Sequence, residues 1–298
     1  RLVRHGPLCR IVRFEFALLP LSRFIVRPRI ALTYADSLRR VIEIAIEREL
    51  VDAVEIVPSG YLAAGNARLL RERLAHFGVP HSFHFIEGSL ASADFEAGPL
   101  TEAMADLIAE IPPFQVSDHL TCCRVGDVDL EMNLPILMNA DSLAICVENV
   151  QTLRRALGER CPLLLEHVPR YFEFRGSTIP AHEFLAEVAE RSDCGILLDL
   201  HNLLCDERNV GLDAEAFIRA LPAGRIREIH LAGGRALPGD STWIDGHDGE
   251  VPARVFELLD VALAHAEPAL IVLEREHRFH DFDRILADLE QVRDRVSA

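Results

Sequence analysis

Ionisable side chains recur where short apolar stretches of this 298-residue sequence end. In the stretch "GILLDLHN", four residues suited to a buried strand are followed by Asp199, His201 and Asn202. Imidazoles and carboxylates can act as general acids and bases, and a set of them without thiolates suits iron, manganese or zinc in a reactive site. The residues at comparable positions elsewhere are Glu55, His84, Asp118, His119, Glu166, His167, His230 and Glu274, together with Asp245, His247 and Asp248 of the segment "WIDGHDGEV".

Each of these residues has an ordinary explanation when it is taken alone. A carboxylate at the end of a strand is usually the N-cap of the next helix or a solvated loop residue, and a strand histidine is usually a hydrogen-bonded core residue. Burying six such groups around one opening without partners, however, would cost much free energy of desolvation. A bound cation removes that cost, and more than four or five ligands imply more than one ion. Glu166, central in the strand order, is the candidate for a carboxylate that bridges two metals.

Eight apolar runs alternate with segments of helical periodicity from residue 28 onward, which is typical of a parallel sheet built from strand–helix units. Eight such units favour a closed (β/α)8 TIM barrel over an open sheet, and active sites of that fold lie at the carboxyl ends of the strands. No GxGxxG or Walker-type loop follows a run, which disfavours a dinucleotide-binding or P-loop protein. The predicted strands are "RIALTY" (29–34), "AVEIV" (53–57), "HSFHF" (81–85), "FQVSDHL" (114–120), "PLLLEH" (162–167), "GILLDL" (195–200), "IREIHLAG" (226–233) and "ALIVLERE" (269–276).

The composition argues against several classes of protein. The formal charge of −16, from 47 acidic and 31 basic residues, disfavours nucleic-acid binding, and no apolar run reaches the roughly 18 residues of a membrane-spanning helix. The seven cysteines form no CxxC pair, so we expect a reducing, cytoplasmic location. Residues 1–27 carry six arginines and one acidic residue and are predicted to be an N-terminal extension, and residues 28–298 to be a single catalytic domain.

Seven short segments, in their order and spacing, resemble the multinuclear non-heme iron-dependent oxidases, the family of the methanobactin biosynthesis oxidase. The resemblance extends from about residue 28 to residue 293 and implies a barrel like that of xylose isomerase. The segments are "FHFIEGSL", "VSDHL", "LLLEHV", "LLDLHNL", "IHLAG", "IDGHDGEV" and "IVLERE".

The resemblance also implies a set of ligands and a chemistry. Such enzymes use a mixed Fe(II)/Fe(III) pair and dioxygen to oxidise a residue, commonly cysteine, of a ribosomally made precursor peptide, which a separate recognition protein often delivers. By position, Glu166 would bridge the two irons, and Glu166, Asp199 and His230 are the expected catalytic residues. The expected ligands are His84, His119, Glu166, Asp199, His230 and Glu274 for the pair, and Asn202, Asp245 and His247 for a third iron.

Several positions depart from the family pattern. The first strand, "RIALTY", lacks a histidine, and the segment "EIVPSGY" stands where the family has a Glu-Asn pair. His167 follows the bridging glutamate where the family has asparagine, and Gly234 ends "IHLAGG" where it has histidine. His201 also stands at an asparagine position, so we expect it behind the ligands or facing the substrate. These departures affect substrate contacts and the third iron, whereas the six main ligands are retained.

Two other functions fit parts of the pattern. A hydrolase or isomerase would use two or three divalent ions in the same type of barrel, as sugar isomerases and endonuclease-IV-like enzymes do. The acidic charge argues against a DNA enzyme, and lysine, a common strand residue of such isomerases, is absent from the sequence. A barrel that only binds a partner is disfavoured because all six ligands are retained. We therefore expect an iron- and dioxygen-dependent peptide oxidase without nucleic-acid or membrane partners.

Overall fold

The computed structural model describes residues 27–63, 66–126, 128–158, 160–237, 239 and 241–297. The predicted N-terminal extension therefore lies outside the described residues, except for Arg27. The described residues form twelve strands, namely β1 (Arg29–Thr33), β2 (Ala53–Ile56), β3 (His81–Phe85), β4 (Val116–His119), β5 (Cys122–Val125), β6 (Val128–Leu134), β7 (Leu163–Glu166), β8 (Gly195–Asp199), β9 (Ile226–Leu231), β10 (Arg235–Ala236), β11 (Trp243–Ile244) and β12 (Leu270–Leu273). They also form nine α-helices, namely α1 (Arg39–Glu47), α2 (Ala67–Phe77), α3 (Pro99–Glu110), α4 (Ala140–Leu157), α5 (Ala181–Ser192), α6 (Leu200–Asn209), α7 (Ala214–Ala220), α8 (Ala253–His265) and α9 (Phe282–Ser297).

Eight of the strands close into a parallel barrel in the order β1-β12-β9-β8-β7-β4-β3-β2, which confirms the predicted (β/α)8 fold. Each of the eight predicted apolar runs contains one barrel strand. These strands are buried on both faces and rich in branched side chains, as in the fully buried "LIVL" of β12. Two antiparallel hairpins, β5–β6 and β10–β11, follow the barrel strands β4 and β9 and were not predicted.

Helix α4 has a capping residue at each end. At the start of α4, the side chain of Asn139 accepts a hydrogen bond from the Ser142 N–H at 2.9 Å. The same helix ends at Gly158, whose left-handed conformation (φ 78°) suits glycine. Within the described ranges, no helix has both the length and the apolar character that crossing a membrane requires.

The interior of the barrel changes from apolar to polar toward the carboxyl ends of the strands. Ala31, Ala53, Leu270 and Val272 form an apolar cluster that is separate from the larger core. Glu55 follows two residues after Ala53 on β2, so it shares the inward face of that strand. The polar interior beyond the apolar cluster is where the candidate site lies.

Candidate metal centre

Glu166 lies at the centre of the predicted site, at the carboxyl end of β7. Its Oε2 is 3.5 Å from His84 Nε2 and 3.2 Å from His119 Nε2. The His84 ring is held from behind by Ser117 Oγ, 2.9 Å from Nδ1, and meets the His119 ring edge to face at 4.8 Å between centroids. The three residues come together because β3, β4 and β7 are neighbours in the barrel. One carboxylate oxygen thus faces two imidazole nitrogens.

A second group of side chains comes from β9, from the loop after it and from the end of β12. Glu274 Oε2 lies 3.2 Å from His230 Nδ1 and 3.5 Å from His247 Nε2. His247 Nε2 also lies 2.8 Å from Asp245 Oδ1. His247 has a left-handed backbone conformation (φ 44°), which costs a non-glycine residue on the order of 1 kcal/mol. Such strain persists where the surrounding structure holds a side chain in a required position.

Asp199 has two roles at the junction of β8 and α6. Its Oδ1 accepts a hydrogen bond from the Asn202 N–H at 2.6 Å and so caps α6. Its Oδ2 is buried and has no hydrogen-bond partner among the described residues. The side-chain amide of Asn202 in turn donates to Glu166 Oε1 at 3.0 Å and to the His167 carbonyl at 3.1 Å. The ordinary N-cap explanation therefore holds for one carboxylate oxygen of Asp199 and leaves the other free to bind a cation.

Buried polar atoms without hydrogen-bond partners are concentrated in this centre. Most buried polar atoms in proteins are hydrogen-bonded, so a cluster of unpartnered ones requires a physical reason. A metal ion with bonds of ~2.1 Å holds neighbouring ligand atoms roughly 3.0–3.4 Å apart, close to the separations given above. Four groups of three residues each offer ligand atoms that lie within 4.8 Å of one another inside the group. The residues present therefore fit metal ions. Within the described residues, the unpartnered atoms of the centre include Glu166 Oε2, Asp199 Oδ2, Asn202 Oδ1, His230 Nδ1 and His247 Nε2.

The negative charges of neighbouring carboxylates raise one another's pKa in the centre, whereas the positive charges of the histidines lower the pKa of the carboxylates. Burial, followed by repulsion from Asp245 and Glu166, raises the pKa of Asp199 well above its ordinary value. Burial also acts against ionisation of Glu274, but the charges of His230 and His247 hold its pKa at about 2. Without a cation, the carboxylates and imidazoles must share protons. A divalent cation would replace those protons, because metal ligands bind in their deprotonated form.

All nine side chains predicted to bind metal are brought together at the barrel mouth. Seven of them belong to the groups of ligand atoms described above. Asp245 joins them through His247, and Asn202 through Glu166. The nine are His84, His119, Glu166, Asp199, Asn202, His230, Asp245, His247 and Glu274.

Two buried glutamates were missing from the predicted set. Glu55 Oε1 lies 3.1 Å from His230 Nε2, and Glu228 Oε1 lies 3.4 Å from the same nitrogen. The sequence signal for Glu228 is the alternation in "REIH", because residues two apart on a strand face the same side. Glu55 was noted as a strand residue, but nothing in its own run indicated that it reaches His230, which lies on another strand.

Three other strand-end candidates make different contacts. Asp118 Oδ1 accepts the N–H of the next residue at 2.7 Å, and burial raises its pKa to about 7. Asp248 pairs with Arg235 at 2.7 Å near the surface. Burial lowers the pKa of His167 to about 3, so this side chain is a neutral imidazole. None of the three is in the groups of candidate ligand atoms found among the described residues.

His201 and Gly234, two of the departures from the family pattern, occupy the same space. The His201 ring is fully buried, and its Nδ1 lies 2.9 Å from Asp245 Oδ1. A Cβ atom added to Gly234 would lie 2.4 Å from His201 Cε1, which is closer than atoms can approach. The same Cβ would lie 2.3 Å from the Ile244 carbonyl oxygen, so only glycine fits between this backbone and the imidazole that contacts Asp245. The structure places His201 behind a candidate ligand, one of the two positions expected for it.

Comparison with known protein families and sequences gives consistent results. The family model for RiPP precursor modification enzymes MbnB/TglH/ChrH matches residues 36–297. A UPF0276 protein of Anaeromyxobacter sp. (strain Fw109-5) is 39% identical over 216 residues, which cover 70% of this chain and 72% of that protein. A UPF0276 protein of Caulobacter vibrioides is 32% identical over 257 residues, which cover 85% of this chain and 89% of that protein.

Solved structures share the fold at low sequence identity. A xylose isomerase domain-containing protein of Salmonella typhimurium LT2 has a TM-score of 0.61 at 12% identity, over 91% of this chain and 97% of that chain. A D-allulose 3-epimerase of Methylomonas sp. has a TM-score of 0.58 at 13% identity, over 90% of this chain and 97% of that chain. These similarities confirm the expected xylose isomerase-like barrel.

Proposed function

Because the chain belongs to the family of RiPP precursor modification enzymes MbnB/TglH/ChrH, we propose that it is a multinuclear non-heme iron-dependent oxidase. It uses dioxygen to modify a residue of a ribosomally synthesised precursor peptide, and cysteine is the proposed target. Family membership makes the chain an enzyme that acts on a peptide. The observation that supports the iron chemistry is the convergence of buried, unpartnered imidazole and carboxylate atoms around Glu166 in the described part of the chain.

The first two proposed ligand sets follow groups of ligand atoms that lie together, and the third follows the family resemblance. Glu166 is the proposed bridge because its Oε2 faces both His84 and His119, and because it forms a further group with Asp199 and His230. Imidazole and carboxylate ligands without a thiolate suit iron, which when bound would supply one-electron redox chemistry and Lewis acidity. The proposed sets are His84, His119 and Glu166 for one ion, Glu166, Asp199, His230 and Glu274 for the second, and Asn202, Asp245 and His247 for a third.

The chain's own contribution is to hold these groups in place and to exclude water. Glu166, Asp199 and His230 form one of the groups of ligand atoms and are the proposed catalytic residues. All three are buried, so bulk water does not compete for the positions that they surround. Asn202 fixes Glu166 through its side-chain amide and Asp199 through its backbone N–H. Such fixed positions reduce the reorganisation that binding and reaction require.

Exposed apolar side chains surround the mouth of the barrel, which supports a peptide as the substrate. Among the described residues, eight large apolar side chains are exposed, and seven of them lie in loops or hairpins that follow barrel strands. Phe172 and Phe174 meet edge to face at 5.2 Å and line a cavity of about 330 Å³ together with Ile136 and Met138. Apolar surface of this kind is typical of a binding site. The seven residues are Ile86, Val125, Val128, Met132, Phe172, Phe174 and Leu237.

The decisive experiment combines metal analysis with an oxidation assay on protein purified without oxygen. We expect two or three irons per chain, an electron paramagnetic resonance signal of a mixed Fe(II)/Fe(III) pair, and dioxygen consumption when a cysteine-containing peptide encoded beside the gene is added. The E166Q variant should lose most of this iron, because removing a bridging carboxylate weakens both ions.

The matched control is E267Q, which changes an exposed glutamate before the amino end of β12, the end opposite the mouth, and should keep both iron and activity. Stoichiometric zinc or manganese without iron, together with no dioxygen consumption after reconstitution with iron, would refute the oxidase proposal. That result would favour the divalent-metal isomerase or hydrolase. Full iron content in E166Q would refute the bridging role alone.

A further inference from the structure

His167 follows the proposed bridging Glu166, but its side chain has no hydrogen-bond partner among the described residues. Both of its ring nitrogens are buried and unpartnered there. The His167 carbonyl accepts the Asn202 side-chain amide at 3.1 Å, and the same amide donates to Glu166 Oε1 at 3.0 Å. The backbone of His167 is therefore tied to the centre, whereas its imidazole is available to a ligand.

His167 lines a recess whose walls are mainly apolar. The recess has a volume of about 30 Å³, and the Phe217 ring lies 5.5 Å from the His167 ring, between centroids. The charged residues of the lining, Arg170 and Asp206, pair with each other at 2.7 Å. The imidazole is thus a polar group in an apolar recess. The buried apolar wall residues include Leu120, Val168, Phe184, Leu185 and Phe217.

The recess adjoins the larger cavity that is lined by Phe172 and Phe174. The residues that line both are Pro135, Ile136, Met138, Arg170 and Ala181. A peptide bound in the cavity is therefore in position to place one side chain in the recess, beside His167.

A short side chain that carries a hydroxyl group fits the recess best. A cavity of roughly 10–15 Å³ holds one water-sized group, so this recess has room for about two, such as a hydroxyl and a methyl. A charged group would lose much hydration free energy between apolar walls, and an apolar group would leave the imidazole unpartnered. A hydroxyl both donates and accepts, so it pairs with either ring nitrogen.

We propose that His167 and this recess form a specificity subsite for a threonine side chain of the substrate peptide, near the residue that is oxidised. The hydroxyl of threonine would bond the imidazole, and its methyl would contact the apolar walls. The peptide as ligand rests on the proposed function, whereas the preference for a hydroxyl follows from the recess. Valine has nearly the same shape as threonine without the hydroxyl, so the two residues isolate this hydrogen bond.

The test measures peptide binding to the metal-free, full-length protein by fluorescence anisotropy. The probes are fluorescent copies of the cysteine-containing peptide encoded beside the gene, with threonine, valine or alanine at each position near the cysteine in turn. At one position we expect the threonine peptide to bind roughly 5-fold more tightly than the valine peptide, the effect of one net hydrogen bond. Equal binding of the two peptides at every position would overturn the proposal.

Two histidine variants test the role of the imidazole. H167F keeps an aromatic ring and removes both nitrogens, so we expect it to lose the preference for threonine. The matched control is H182F, because the half-buried His182 also contacts Phe217 but is not in the described lining of the recess. H182F should keep the preference. A preference that persists in H167F would overturn the role of His167.

A181L tests the recess without changing the histidine, in case H167F does not fold. Ala181 lines both the recess and the cavity, so a leucine there would block the passage between them. We expect A181L to lose the preference for threonine over alanine. The control A287L enlarges an exposed alanine of α9 and should keep it. An unchanged preference in A181L would overturn the subsite.

Dioxygen consumption by the iron-loaded protein separates this proposal from the oxidase proposal. Binding with a preference for threonine but without dioxygen consumption would support the subsite and refute the oxidase. Dioxygen consumption without any preference for threonine would overturn the subsite alone. A peptide that neither binds nor is oxidised would overturn both.

Discussion

Asp199 allows the structural and metal-binding roles of one carboxylate to be separated by two substitutions. Its Oδ1 caps α6 by accepting the Asn202 N–H, and its buried Oδ2 has no partner among the described residues. Asparagine caps helices about as well as aspartate, so D199N keeps the cap and loses the charge, whereas D199A loses both. Losing the cap costs about 1 kcal/mol in free energy of unfolding, within a range of roughly 0.5–2 kcal/mol. We expect both variants to lose metal and only D199A to lose the cap energy.

The charge of Asp199 gives the metal-free protein a characteristic dependence on pH. Burial and the neighbouring Asp245 and Glu166 raise the pKa of Asp199 in the folded state above its value in the unfolded chain. The resulting stability is fully present below the unfolded pKa, near 4, and is lost as the pH rises through the folded pKa, with a slope of at most about 1.4 kcal/mol per pH unit. D199N removes this dependence. At neutral pH, metal-free D199N should therefore be at least as stable as the wild type, and D199A should be about 1 kcal/mol less stable than D199N.

The assay is urea unfolding of chelator-treated protein, followed by far-ultraviolet circular dichroism at pH 5.5 and pH 8, with metal content measured on untreated samples. For the metal-loaded wild type the dependence reverses, because metal ligands bind deprotonated and affinity rises with pH. Equal destabilisation of the metal-free protein by D199N and D199A at pH 8 would refute the reasoning, since it would mean that the carboxylate stabilises the fold by its charge. Full metal content in D199N would refute the assignment of Oδ2 as a ligand atom.

Two further predictions concern the loops around the mouth. G234A should lower the free energy of unfolding by roughly 1–3 kcal/mol and reduce metal content. Its Cβ would lie 2.3 Å from the Ile244 carbonyl oxygen and 2.4 Å from His201 Cε1, so the Ile244 backbone and the ring that contacts Asp245 would have to move. Thermal unfolding and metal analysis measure this. The F172S/F174S double variant should raise KM for the precursor peptide with little change in iron content, because these side chains line a cavity whose described lining includes none of the proposed metal ligands. Steady-state dioxygen consumption measures the change in KM.

Each of these variants has a matched control. For G234A the control is G224A, because a Cβ added to Gly224 would have no atom within 4 Å and stability should hardly change. For the phenylalanine pair it is L69S, which changes an exposed apolar side chain on α2, away from the loops that follow the barrel strands. A G234A protein with unchanged stability, or an L69S protein with the same increase in KM as the double variant, would contradict the corresponding prediction.

The sequence predicted the barrel and the gathering of the candidate ligands at its mouth for a common physical reason. In a parallel barrel every strand points its carboxyl end to the same side, so ionisable residues that end several apolar runs must gather at one mouth. His84, Glu166 and Glu274, for example, are far apart in sequence. Once each is assigned to the carboxyl end of a barrel strand, the fold alone predicts that they lie at the same mouth. Glu228 and the β5–β6 hairpin were not predicted because they depend on register and loop conformation, which periodicity alone does not determine.

His201 and Gly234 show that comparing single sequence positions with a family pattern misses contacts between those positions. Each residue by itself was a departure from the family pattern, one adding an imidazole and the other removing one. In the structure the two positions adjoin, because a side chain at position 234 would overlap both the His201 ring and the Ile244 carbonyl oxygen. That ring contacts Asp245, so an imidazole is retained beside the proposed third metal site although its position in the chain has changed. The departures from the pattern therefore leave the three residues of the proposed third metal site, Asn202, Asp245 and His247, in the chain.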